Sequence, residues 1–389
     1  MKRIVFNDRS KASVFKSDTG YDEVHFVIYG NDSDNVASSL SQLNTDVTNI
    51  LDELNINQNN IVFSRLYVTD ISNQLNDIQS SDLYKTISTS SFSIVQQHPQ
   101  IHGKFILLGY CLVGNNLTKE VYMLNNWSNH CKITGKNYNI HFSGNMDESG
   151  DLDSFRQTKA LFGEYNQYLN NNRLTLLSNS IRTWIYVRDI DNHYAGMVDS
   201  RLEYFIEQGL NKDTRYIAST GIEAKLHNND TLISFDALAI SHLDSSQIKR
   251  MEAIECMSPT IDYGVTFERG TSVVFGDRSH HYISGTASID KNGDVLYLGD
   301  PKKQTERAIE NIACLLENAN CSFNDFMYII VYLRDPSSIN EVKGIVDDKF
   351  PNNLPIVFVE GAVCRPSWLV EIEGVLVNDK FNDKFNPFN

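Results

Sequence analysis

The chain has no long apolar run, no basic cluster and no closely paired cysteines, and each absence removes a class of protein. No stretch approaches the 18 or more consecutive apolar residues of a membrane span, and the opening residues Met1 to Ser10 carry no apolar signal core. The expectation is a cytoplasmic protein with no membrane partner. The six cysteines (Cys111, Cys131, Cys256, Cys314, Cys321, Cys364) form no CxxC pair, which fits reduced thiols better than a disulfide framework or a zinc site. Lys and Arg number 34 against 49 Asp and Glu, a formal charge of −15, so no basic face is expected to displace counterions from phosphates and nucleic acid is not an expected partner. GxGxxG, GxxxxGK[ST], GxSxG and HExxH patterns are missing, and His280-His281 has no metal-ligand spacing. Neither a metal nor an organic cofactor is expected.

What is present is a globular composition, 41% apolar and 21% charged, in 389 residues, more than one ordinary hydrophobic core. A helix-then-strand pattern occurs three times. Helical periodicity runs over 36–54, 155–168 and 304–317, followed by strand-like segments ending Tyr67 to Asp70, Tyr186 to Asp189 and Tyr332 to Asp335. Each closes on Tyr, an aliphatic residue, any residue, then Asp. A single Tyr-x-x-Asp would be read as a turn signal, because Asp favours turns and caps; three in the same context point to a duplicated unit. Second helices are expected near 76–88, 195–208 and 337–348, and further strands at 232–240 and 369–377. The units are placed at 1–145, 146–255 and 256–389. The expected fold is α+β: three mixed sheets, each with helices on one face, whose bare faces cover one another as a pseudo-trimer within a monomer.

The third unit resembles the Rid (YjgF) superfamily. Tyr282-Ile-Ser-Gly-Thr-Ala-Ser-Ile289, Gly299-Asp300, Gln304-Thr305 with Glu310-Asn311, and the closing Cys364-Arg-Pro-Ser-Trp-Leu-Val-Glu-Ile-Glu373 match its ordered motifs. The resemblance implies a chorismate-mutase-like fold that assembles in threes, with pockets between neighbours. Imine deaminases of that superfamily hold a substrate carboxylate with an Arg three residues before a Val-Glu pair; here Val359-Glu360 places Ile356 there. A second branch, the chorismatases, is resembled further: Arg182-Thr-Trp-Ile-Tyr-Val-Arg-Asp-Ile190, Ala218-Ser-Thr-Gly-Ile222 and the spacing of Cys364 from Glu371 are similar to segments of that family. Asp290-Lys-Asn-Gly-Asp294 replaces its Gly-His-Glu run.

Hydrolysis of an enol ether such as that of chorismate needs a proton delivered to carbon, which suits a carboxylic acid whose pKa burial has raised. Alternation along a strand puts Glu371 and Glu373 on one face. Glu371 is the candidate general acid, as the resemblance implies, with Cys364 as a candidate helper in ring rearrangement; the plainer alternatives are interface anchoring for the glutamates and packing for the cysteine. A small-molecule dicarboxylate calls for guanidinium groups, and the candidates are Arg182, Arg215 with Tyr216, Arg269 and Arg365. A Rid-type imine or enamine deaminase and a non-catalytic metabolite binder remain as alternatives.

Overall fold

The computed structural model of the protein describes residues 1–389 apart from 33–34, 126, 149, 151 and 261–263. Among the described residues, three six-stranded sheets form, each from strands consecutive in the chain. The first holds β1 (Lys2–Val5), β2 (Ser10–Phe15), β3 (Asp22–Tyr29), helix α1 (Val36–Glu53), β4 (Ile61–Val68), helices α2 (Ile71–Ser80) and α3 (Asp82–Ile87), β5 (Ser91–Gln96) and β6 (Phe105–Val113). The second holds β7 (Thr118–Met123), β8 (Asn129–Thr134), β9 (Asn139–Asp147), α4 (Ser154–Asn171), the single turn α5 (Leu176–Asn179), β10 (Ser180–Val187), α6 (Ile190–Glu207), β11 (Ala218–Glu223) and β12 (Ile233–Ile240). The third holds β13 (Ile248–Arg250), β14 (Gly270–Val274), β15 (Ser279–Ala287), α7 (Pro301–Asn318), β16 (Phe326–Leu333), α8 (Ile339–Lys349), β17 (Ile356–Glu360) and β18 (Val370–Asn378).

The strand order is the same in all three: β1-β2-β3-β6-β4-β5, β7-β8-β9-β12-β10-β11 and β13-β14-β15-β18-β16-β17. In each the last two strands, β4 with β5, β10 with β11 and β16 with β17, run parallel, and the other pairings are antiparallel. The fold is therefore α+β with three repeated units, as the periodicity implied. The boundaries expected at 145 and 255 need correction. β7, β8 and β9 belong to the second sheet and β13 to the third, so the sheets part in 114–117 and 241–247. The helix-to-strand pattern marks only the middle of each unit and says nothing of the strands that precede it.

Local chemistry sets the helix starts. Asn35, Asp153 and Asp300 accept hydrogen bonds from the main-chain N–H of Ser38, Arg156 and Lys303, the N-caps of α1, α4 and α7, and Pro301 fits the first turn of α7. The three Tyr-x-x-Asp motifs divide their labour. Asp70 caps α2 and Asp335 caps the turn leading into α8, while Asp189 precedes α6 in a left-handed conformation without a cap bond. Tyr67, Tyr186 and Tyr332 are fully buried in one core shared by all three sheets.

That core contains ion pairs among its rings. Arg65 of β4 donates to Asp236 of β12 from Nε (3.0 Å) and Nη2 (2.7 Å), and Tyr186 donates to the same carboxylate at 3.3 Å. Arg278, beside β15, and His280 of β15 hold Glu23 of β3 at 2.6 and 2.8 Å. Losing one member of such a pair leaves an uncompensated buried charge, about 3–5 kcal/mol. Segment 381–389 closes one end of the core: Phe388 accepts from the Tyr21 N–H and donates to Asp277, and the Asn389 carbonyl accepts from the N–H of Asn137 and Tyr138. It thereby touches all three units.

The cysteines are not all reduced. Cys256 and Cys314 form a disulfide across 58 residues of sequence, while Cys111, Cys131, Cys321 and Cys364 are free. Spacing concealed the pair because it joins the long β13–β14 connection to α7. No helix among the described residues is long and apolar enough to cross a membrane, and no group of three or more potential metal ligands occurs among them.

Candidate active site

Each junction between units sets the outer edge of one unit's parallel strand against two strands of the next. Cross-strand partners align the junctions: Val95, Ile222 and Val359 lie opposite Tyr67, Tyr186 and Tyr332. The same alignment makes Phe92, Ser219 and Ile356 equivalent, and likewise Ile94, Gly221 and Phe358. At two junctions those strand edges are occupied by side chains. Between the first and second units, Asn129 bonds both main-chain groups of Phe92 and Asn145 accepts from the Ile94 N–H at 2.8 Å. Between the third and first, the Tyr29 hydroxyl donates to the Ile356 carbonyl and accepts from the Phe358 N–H, both at 3.0 Å.

At the junction of the second and third units the edge is filled only in part: Ser284 accepts from the Ser219 N–H at 2.9 Å, and the rest faces a cavity. Ser219, Thr220 and Gly221 line a cavity of about 320 Å³, with α6 (Tyr194, Val198, Arg201) on one side and Glu371, Cys364, Arg365 and Trp368 on the other. No side chain among the described residues bonds the Gly221 N–H or the Ser219 carbonyl, so a ligand can.

Glu371 is the central group. It is 5% exposed, on the interior face of β18, paired with Ala287 just beyond a bulge in β15 where Ser284 and Gly285 lie opposite Glu373, between the Ile283–Gly374 and Thr286–Ile372 pairs. A Cβ on Gly285 would overlap the Glu371 carboxylate, so glycine there makes room for the side chain. Burial, with help from the nearby Glu373 charge, pushes Glu371 up to about 8; Arg182 and Arg269 oppose the rise. It is a neutral acid at physiological pH.

Glu373, on the same face, has the opposite surroundings. It accepts from Arg182 Nη2 (2.6 Å), Trp184 Nε1 (2.8 Å), the Tyr332 hydroxyl (3.3 Å) and the Thr220 hydroxyl. With its lone pairs occupied it anchors the junction, which is the plainer role weighed for it. Its counterpart in the second unit is Asp236 and in the first Leu108, both read from their partners Trp184 and Arg65.

The sequence candidates separate accordingly. Glu371, Cys364, Arg269 and Arg365 line the cavity. Arg269 also donates to the Ser258 carbonyl, and Arg365 donates to the Gly293 carbonyl while lying 4.8 Å over the Trp368 ring. Cys364 is a thiol rather than a thiolate, because burial and then the Glu371 charge push it up to about 12. Arg182 lies behind the cavity wall and acts on it through Glu373 and Thr220. Arg215 and Tyr216 are corrected: neither lines the cavity. Arg215 donates to the carbonyls of Tyr216, Leu177 and Ser180, and the Tyr216 N–H donates to Glu268. Both precede β11 and support its start instead of facing the cavity.

Sequence reasoning missed Arg201, whose Nε donates to Thr266 at 3.2 Å. Its signal was available: Met197, Val198, Tyr204 and Phe205 place Arg201 on the buried stripe of α6. The Ile356 position also belongs to another junction. At the open one the equivalent residue is Ser219, likewise not Arg, so the cationic character of this cavity comes from Arg201, Arg269 and Arg365.

Residues 272–377 match the family described as Endoribonuclease L-PSP. Over 95 residues the chain is 32% identical to the 3-aminoacrylate deaminase RutC of Acinetobacter baylyi, covering 24% of this chain and 75% of that protein. A RutC family protein of Pyrococcus abyssi is 33% identical over 95 residues, with the same coverage. The crystal structure of a chorismatase, 20% identical, superposes with a TM-score of 0.63 over 82% of this chain and 93% of that one, and so shares the fold.

Proposed function

The chain belongs to the Rid superfamily through its third unit, and from that premise we propose that it is a chorismatase-like enzyme, hydrolysing the enol ether of chorismate or a related cyclic dicarboxylate. The observation that carries this reading is a buried Glu371, its pKa raised by that burial, facing a cavity that three arginines line.

The Glu371 carboxyl gives its proton to the methylene carbon of the enolpyruvyl group. Positive charge then develops on the carbon bearing the ether oxygen, and water adds there, returning a proton to Glu371. The hemiketal breaks its bond to the ring oxygen, which takes up the proton that the hemiketal hydroxyl gives up as it becomes the ketone of pyruvate, and pyruvate leaves with a ring alcohol. Arg201, Arg269 and Arg365 match two substrate carboxylates, Trp368 and Phe267 flank the ring, and the Gly221 N–H and Ser219 carbonyl orient a polar group. Cys364, held as a thiol, is placed to assist ring rearrangement towards a hydroxybenzoate. Neither metal nor cofactor enters these steps.

A second reading follows from the deaminase name of one relative: protonation of an enamine carbon asks the same of Glu371. A three-carbon enamine would leave most of this cavity unfilled, which favours the larger substrate. Incubation with chorismate and assay of pyruvate tests the first reading, with release expected from the wild-type protein. Ammonia from an enamine, without pyruvate from chorismate, would replace it with the second. Ligand-induced stabilisation with no turnover of either would make the protein a binder.

A further inference from the structure

The connection between the first two strands of a unit differs sharply among the three. It runs over residues 6–9 in the first and 124–128 in the second, but over 251–269 in the third. The described part of that insertion builds one wall of the cavity: Gly264, Val265, Phe267 and Arg269 line it, and Arg269 reaches back to the Ser258 carbonyl.

So long a connection orders only if its entropy loss is offset. Its first half packs Met251, Ala253 and Met257 into the shared core, and specific hydrogen bonds tie it to the rest of the third unit. The Arg307 side chain of α7 donates to the Cys256 carbonyl at 2.8 Å, Asn318 of α7 donates to the Glu252 carbonyl at 2.9 Å, and the Ser258 N–H donates to the Asp290 carbonyl at 3.2 Å. The covalent tie falls in the same place. The Cys256–Cys314 disulfide fastens the insertion to α7 two residues before Ser258. Both cysteines are partly exposed, so a reductant can reach them.

We propose that Cys256 and Cys314 form a redox-sensitive fastening for the cavity wall, oxidised when the ligand site is assembled and reduced when the wall loosens. A dithiol breaks the S–S bond in two exchange steps: each protein sulfur gains one electron and one proton, and the dithiol becomes a disulfide. Reduction leaves Arg269 in the chain but frees residues 251–260, whose Ser258 carbonyl helps to hold its guanidinium. This inference rests on the same cavity as the proposed function, but its primary test does not need turnover.

The full-length protein is compared after air oxidation and after dithiothreitol, beside a Cys256→Ser/Cys314→Ser variant. Hydrogen exchange of residues 251–260 is expected to rise about tenfold on reduction, while the strands of the third sheet keep their protection. The double variant should exchange at the reduced rate whether or not dithiothreitol is present. Chorismate binding, measured by calorimetry, should weaken in parallel. Equal exchange in the oxidised and reduced protein, or six titratable thiols in the air-oxidised protein, would overturn the proposal. A redox-dependent wall with no pyruvate release in either state would leave the fastening standing and remove the enol-ether reading.

Discussion

The junction between the first and second units and the junction between the second and third use the same strands in the same register of pairing, yet one is sealed and the other is hollow. Both have a bulge beside the central strand. Gly144 and Asn145 form it in β9, between the Phe235–Met146 and Ala237–Ser143 pairs, and Ser284 and Gly285 form it in β15. Each bulge pairs a glycine with a polar residue that reaches the neighbouring strand edge, Asn145 to the Ile94 N–H and Ser284 to the Ser219 N–H, but the shorter serine leaves the Gly221 end of its edge to the cavity. The third junction has no such bulge, since β3 pairs with β6 without interruption from Asp22 to Tyr29, and a tyrosine hydroxyl fills the place. The third junction borders a cavity of about 200 Å³ as well, so what sets the junction of the second and third units apart is the buried acid and the arginines around its cavity.

Several substitutions sharpen or break that contrast. Glu371→Gln should have the largest effect, lowering kcat for pyruvate release by about 10²–10⁴-fold with ligand binding retained; full activity would remove the acid role. Arg182→Ala, which strands the Glu373 carboxylate, should cost about 3–5 kcal/mol in urea unfolding, and a loss below 1 kcal/mol would show that Glu373 escapes to water.

The two bulge glycines make a paired test. Gly285→Ala meets the flexible end of Glu371 and should reduce turnover more than stability, whereas Gly144→Ala meets the Phe92 carbonyl oxygen and should reduce stability, by about 1–3 kcal/mol, more than turnover. Identical profiles for the two would mean that the open junction is not special.

Acidity gives a further check. Glu371 rises from an ordinary value of 4.5 to about 8 on folding. Between those values the unfolded chain has lost a proton that the folded chain keeps, so this group's contribution to stability falls as pH rises from about 4.5 to about 8. Glu371→Gln should therefore gain on the wild type in melting temperature across that window and match it below pH 4, and wild-type kcat/KM should fall above about pH 8. The smallest change belongs to Tyr29→Phe, which loses about 1 kcal/mol of hydrogen bonding at the junction of the third and first units and leaves pyruvate release unaltered.

Much of this was legible in the sequence. Tyr67, Tyr186 and Tyr332 could be seen as equivalent because the helix before and the Asp after each obey short-range rules, and Glu371 and Glu373 could be put on one face because strands alternate. What separates their roles could not be seen: Arg182, Trp184 and Thr220 come from another unit, and only assembly brings them to Glu373 and leaves Glu371 to the cavity. Arg215 and Tyr216 looked as suitable as Arg269, since a guanidinium bonded to carbonyls and one facing a cavity have the same local sequence signature. The Cys256–Cys314 tie is a long-range contact of the same sort.

The segment at 381–389 has a consequence for how the molecule comes apart. Because Phe388 and Asn389 bond the main chain of Tyr21 and Asn137 and the carboxylate of Asp277 at once, no one unit can open at that end without breaking ties to the segment that also holds the other two. Calorimetry should then record one cooperative melting transition instead of three, with removal of those nine positions splitting or broadening it.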